Sequence, residues 1–175
     1  ITSFALYGFP ESHAASFALI AYASAYLKCY HPTAFLIALL NAWPMGFYHP
    51  ASLVKDAQRH GVGVLPIDVN FSGWRCLWEE LKSKSAHKEN EPSPSSMRAA
   101  GACRIGLRYI SGLRRETAER IATERRAGLF RNVEELKRRA ALRADELARL
   151  SEAGALASLG LTRREIEARY QRIVE

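Results

Sequence analysis

A chain of 175 residues, 48% of them apolar, is long enough to bury a core and amounts to one domain or two small ones. Its formal charge of +7 is uneven: residues 1–81 carry four Lys/Arg against five Asp/Glu, residues 82–98 four against two, and residues 99–175 seventeen against eleven. Three cysteines, Cys29, Cys76 and Cys103, are odd in number and lack metal-type spacing, which argues against a disulfide framework or a zinc site and for a reduced, cytoplasmic setting.

The chain opens on Ile1 without a signal peptide and reads as part of something longer. Residues Tyr7 to Ala14 run Tyr-Gly-Phe-Pro-Glu-Ser-His-Ala into an apolar stretch. Gly8 and Pro10 mark a turn, Ser12 is placed to cap a helix, and His13 then falls on its first turn. Such a helix start suits an anion, although an ordinary capped turn has the same residues. The helix is expected over Ser12–Tyr30. Its stretch from Ala14 to Leu27 is too short to span a bilayer and is interrupted by Lys28, His31 and Pro32.

Pro32 starts a second helix through Leu40, and Pro50 a third that carries Leu53, Val54 and Ala57 on one face and stops at Gly61. The first two helices are apolar nearly all round, so other protein is expected to enclose them. Residues Val62 to Asn70 read as an extended segment that ends at the turn residues Ser72 and Gly73. Alternation at Trp74, Cys76 and Trp78, and again at Cys103, Ile105, Leu107 and Tyr109, predicts two strands that pair as a hairpin. Between them, residues 82–98 are rich in Lys, Ser, Glu and Pro and read as an exposed flexible loop.

From Leu113 the pattern is helical. One helix is expected to end near Gly128, a second to start at Asn132 and Glu135, a third to carry Leu147 and Leu150 before Gly154, and a last to begin at Thr162 with Glu165. Ile110-Ser111-Gly112-Leu113 ahead of Ala118 and Ile121 resembles a helix-hairpin-helix motif. In that motif a tight glycine turn brings backbone N–H groups to a DNA phosphate, and Arg114 and Arg115 add charge. Arg114 stands where the motif has its second glycine. Ala141-Leu142-Arg143 reads as a more degenerate second copy. The arginine surplus favours a polyanion as partner, against the simpler reading of solvated helix faces.

The ordered blocks Tyr-Gly-Phe-x-x-Ser-His-Ala at 7–14, Tyr26-Leu27-Lys28, His31-Pro32-x-x-Phe35, Leu39-Leu40 and Leu65-Pro66-x-Asp68-Val69-Asn70 resemble the bacterial C-family DNA polymerases. Gly106-Leu107 through Gly112, Phe130-Arg131 and Glu152-Ala153-Gly154-Ala155-Leu156 continue the resemblance in order. Pro10-Glu11 and the stretch Leu40 to Tyr48 look like the error-prone, damage-tolerant branch. The resemblance implies a mainly α fold with a small β-hairpin, in which residues 1–81 form a helical fingers region and residues 99–175 a tandem helix-hairpin-helix region. It implies nucleotide-side roles for Tyr7, Ser12 and His13, and duplex contacts from Ser111, Gly112, Leu113, Arg114, Arg115, Leu142 and Arg143.

The family's reaction is metal-assisted nucleotidyl transfer, with Mg2+ and deoxynucleoside triphosphates expected for the parent enzyme and a sliding clamp and damage-response proteins as partners. Its catalytic aspartates belong to a palm expected before Ile1, so no catalytic residue, metal or cofactor is assigned here. Asp56, Asp68 and Asp145 do not form a comparable set, and Asp68 reads as structural. Two other readings are a stand-alone DNA-binding adaptor and, more remotely, a membrane-associated helical protein.

Overall fold

The computed structural model describes residues 11–81 and 101–160, with the side chains of Glu11 and Ser12 excepted. Tyr7, the polar segment 82–98 and the helix expected at Thr162 therefore lie outside the described residues. Three helices come first: α1 (Glu11–Tyr30), α2 (Pro32–Ala42) and α3 (Pro50–Arg59). Ser12 lies within α1 instead of flanking it as the cap, because the helix already includes Glu11. Pro32 and Pro50 each sit at a first-turn position, where the missing N–H costs nothing. His49 caps α3 by accepting the Ala51 N–H on Nδ1 at 3.2 Å.

Three short strands follow: β1 (Gly63–Leu65), β2 (Leu77–Glu80) and β3 (Gly101–Arg104). The expected hairpin is present, with Trp78 opposite Cys103, but β1 joins it in parallel on the far side of β3, opposing Val64 to Cys103. The strands are also shorter than the alternation predicts. At Gly106 the chain crosses so close to Trp74 and Arg75 that a Cβ would lie 2.5 Å from their backbone atoms. Leu107 and Arg108 then donate to the Gly73 and Trp74 carbonyls, which turns residues Leu107–Tyr109 into a 3-10 helix instead of continuing the strand.

The helices α4 (Arg115–Glu124), α5 (Val133–Arg139) and α6 (Ala144–Glu152) complete the fold. Asn132 caps α5 by accepting the Glu135 N–H at 2.8 Å, as the sequence predicts.

Two cores result. Leu36, Leu40, Val62, Cys76 and Cys103 pack with Leu53, Val54 and Ala57 of α3, so that face of α3 meets the sheet. Leu107, Leu113, Ala118, Ile121, Leu136, Leu147, Leu150 and Leu156 form the other, which also takes in Val69 and has Trp74 packed against it. The segment Asp68-Val69-Asn70 is fastened to the second core, of which Val69 is part. Asn70 exchanges two hydrogen bonds with the Phe130 backbone, at 2.8 and 2.9 Å, and donates to Ser158 Oγ. Asp68 accepts from Asn70 N, from Ser158 N and from Ser158 Oγ. Arg125 donates to the Val69 and Ser72 carbonyls from the other side.

Helix α1 is different. It packs on α2, yet Phe17, Leu19, Ile20 and Tyr22 are exposed, Tyr22 by 72%. The enclosure that its composition demands does not come from the described residues. Among these residues no helix is long and apolar enough to cross a membrane.

Candidate nucleic-acid interface

The first hairpin turn runs from Ile110 to Arg114. Ile110 and Leu113 are buried and fix the turn to the core, while Ser111 and Gly112 face out. Gly112 has φ of 73°, a left-handed conformation in which any side chain is strained. Arg114 is the extended N-cap residue of α4.

The second turn repeats this sequence of conformations. Ala141 is left-handed at φ of 45°, Leu142 is buried, and Arg143 is the extended N-cap residue of α6. Each position in the second turn lies 29 residues after its counterpart, the separation also of Thr117 and Glu146. Those two residues occupy the third position of α4 and of α6, and they meet: Thr117 Oγ1 donates to Glu146 Oε1 at 2.6 Å.

Further contacts are made in both directions. Arg120 of α4 donates from Nε to the Ala140 carbonyl, and Arg149 of α6 donates from Nη1 to the Ser111 carbonyl at 3.0 Å. Arg149 is the counterpart of Arg120, and Ser111 that of Ala140. This reciprocity is that of an approximate two-fold axis passing between Thr117 and Glu146, so the hairpins form one interlocked unit.

Glu146 is the hub. It is 2% exposed, and besides Thr117 it accepts two bonds from Arg114, at 2.8 and 3.1 Å, and one from Arg143 N at 3.1 Å. Burial pushes its carboxyl pKa up, but the bonds from Thr117, Arg114 and the Arg143 backbone outweigh that and hold it at about 2.

The residues named from sequence thus divide by what they offer a ligand. Leu113 and Leu142 present backbone only, their side chains being core. Arg114 is held by Glu146, Arg115 by Glu119 at 2.7 Å and Arg143 by Asp145 at 3.1 Å. Ser111 and Gly112 lie under Arg149, a residue the sequence reading does not select. The signal for it is present as Leu113-Arg114 followed by Arg120-Ile121, and Leu142-Arg143 followed by Arg149-Leu150 at the same spacing.

His13 stands elsewhere, exposed on the first turn of α1 with its ring 4.5 Å from that of Phe17.

Several arginines bond carbonyls instead of carboxylates: Arg108 to Asn41 and Trp43, Arg120 to Ala140, Arg125 to Val69 and Ser72, and Arg149 to Ser111. A carbonyl positions a guanidinium without neutralising it. Among the described residues these four guanidiniums thus keep a charge that no bonded carboxylate cancels.

The residues 61–166 match the family model described as a helix-hairpin-helix motif. Over 94% of its length the chain is 51% identical to an error-prone DNA polymerase of Aromatoleum aromaticum and 50% identical to one of Burkholderia mallei, and over 91% it is 45% identical to one of Methylococcus capsulatus. It spans only 14 to 16% of the length of these relatives. With the family model covering more than half of its residues, the chain belongs to the helix-hairpin-helix motif family, and it is homologous to a segment of error-prone DNA polymerases.

Proposed function

We propose that this chain is the duplex-holding portion of a C-family, error-prone DNA polymerase that acts in translesion synthesis. In this reading the tandem hairpins of residues 99–175 bind duplex DNA through phosphates, without regard to sequence, and residues 1–81 contribute fingers on the template and nucleotide side. Tyr7, Ser12 and His13 then face the incoming nucleotide. The observation that carries the reading is the pair of left-handed Leu-Arg turns at Gly112 and Ala141, interlocked about Thr117 and Glu146, in a chain half identical to such polymerases. Exposed backbone at a tight turn, a following helix N-terminus and un-neutralised arginines suit phosphate, which is common to every sequence.

Nucleotidyl transfer would need carboxylates that hold Mg2+, and the described residues do not fit that role. Among them no three His, Cys, Asp or Glu side chains cluster as a metal site, and the Asp68 carboxylate is occupied by Asn70 and Ser158. In this reading the chain binds the substrate duplex, while catalysis, nucleotide triphosphates and clamp or damage-response partners belong to the whole polymerase. The adaptor alternative shares the hairpins but lacks the fingers role.

Fluorescence anisotropy with a labelled primer-template and primer extension with Mg2+ test the proposal together. Binding without extension is expected from the isolated chain. Metal-dependent incorporation, or no binding at low salt, would overturn it.

A further inference from the structure

The two turns are related by the same contacts, but they do not present the same surface. At Ala141 a methyl group occupies the outer side of the turn. At Gly112 that place is filled by the Arg149 guanidinium: a Cβ on Gly112 would lie 2.2 Å from Nη1 and 2.5 Å from Cζ. Arg149 thus lies against the glycine backbone itself, and glycine is required there for its lack of a side chain as well as for its φ.

The bond of Arg149 to the Ser111 carbonyl takes one of five guanidinium N–H donors. Among the described residues no carboxylate pairs with Arg149, whereas Arg114, Arg115, Arg139 and Arg143 each have one. Arg149 is only partly buried, so its remaining donors are within reach of solvent. A planar fork with donors to spare, anchored beside an exposed glycine turn, matches the geometry of a phosphate diester.

We infer that Arg149 is a DNA-phosphate-binding residue, and that the phosphate seat at the first turn is composite: the Ser111–Gly112 backbone from one hairpin and the Arg149 guanidinium from the other. At the second turn Arg120 holds the equivalent place on the Ala140 carbonyl, but there the left-handed residue is Ala141, which carries a methyl group where the first turn has bare glycine backbone. The Ser111 carbonyl fixes where the guanidinium sits without cancelling its charge, so the cation is oriented before DNA arrives. This inference rests on the reading of the hairpins as duplex-binding.

The test is anisotropy of the full 175-residue chain with a labelled random-sequence 20-bp duplex between 50 and 200 mM NaCl, with helix content checked by circular dichroism. Arg149→Ala should weaken binding roughly three- to tenfold on unrelated sequences alike and lower the salt slope by about one. Arg149→Lys, which keeps the charge and loses the fork, should recover most of the slope and only part of the affinity.

Arg59→Ala removes the same charge from α3 and should leave the slope near that of the unaltered chain. Gly112→Ala should lose less affinity in the Arg149→Ala background than alone, because its methyl acts by displacing the guanidinium. An Arg149→Ala chain that keeps the slope and affinity of the unaltered chain, or loses no more than Arg59→Ala does, would overturn the inference while leaving hairpin binding intact. Failure of the unaltered chain to bind would instead overturn the underlying reading.

Discussion

Thr117 donates a 2.6 Å hydrogen bond to Glu146, the residue that holds its own place in the second hairpin. A contact between equivalent positions is what an approximate two-fold axis requires, and it makes the buried carboxylate the joint between the hairpins. Glu146 also collects Arg114 and the Arg143 backbone, so both turns are held by one side chain.

Glu146→Gln should therefore lower stability by about 2 to 3 kcal/mol at pH 7, measured by urea unfolding. The native carboxyl pKa of about 2 lies below the ordinary value of 4.5. Its stabilising contribution is accordingly complete above about pH 4.5 and is lost as pH falls through about 2. The difference in stability between the unaltered chain and the variant should shrink over that window. An unchanged difference at pH 3 would show that the charge is not what stabilises the joint.

Gly112→Val should cost about 1 to 3 kcal/mol, because a β-branched residue is held at a left-handed φ. Its side chain also displaces Arg149. DNA affinity should fall equally on unrelated duplexes. A folded variant with unchanged affinity would remove the first turn from the interface.

Ala141 carries the same backbone conformation without glycine's freedom. Ala141→Gly should relieve it and raise stability by about 0.5 to 1 kcal/mol, read as a higher midpoint in urea. A lower midpoint would mean that the Ala141 methyl contributes packing which outweighs the strain.

Much of this architecture is legible in the residues. Pro32, Pro50, Asn132 and Gly61 act locally, each through its own backbone or a neighbour within a few positions, so their effects can be read without knowing the fold. The parallel pairing of β1 is not readable in that way, because three residues are too few to show a period and their partner lies on the far side of β2 in sequence. The joint at Asp68 and Asn70 has its partners at Phe130 and Ser158, and only tertiary structure joins them. At the candidate interface, composition shows the arginine excess but not its distribution. Arg114 faces a carboxylate and Arg149 a carbonyl, a distinction set by which helix each residue meets.

Asn70→Ala tests the joint directly. It removes both bonds to the Phe130 backbone and leaves a buried N–H and a buried carbonyl unpaired, at a cost of about 2 to 4 kcal/mol in urea unfolding. A loss below 1 kcal/mol would show that water or rearrangement satisfies these groups.

Among the three thiols, Cys29 is exposed, whereas Cys76 and Cys103 are buried in the core under α2. In native protein one thiol should react rapidly with an aromatic disulfide reagent, and the other two only on unfolding. Fast reaction of two or three thiols would contradict the packing of α2 on the sheet.

The proposed role of the two interlocked hairpins is to bind duplex DNA through phosphates. Its most direct test is the dependence of affinity on salt for the unaltered chain with two duplexes of unrelated sequence. Equal affinities are expected, with a linear fall of log K with log salt at a slope of about −0.9 for each phosphate engaged. Affinity that differs strongly between the two duplexes, or that does not change with salt, would contradict it.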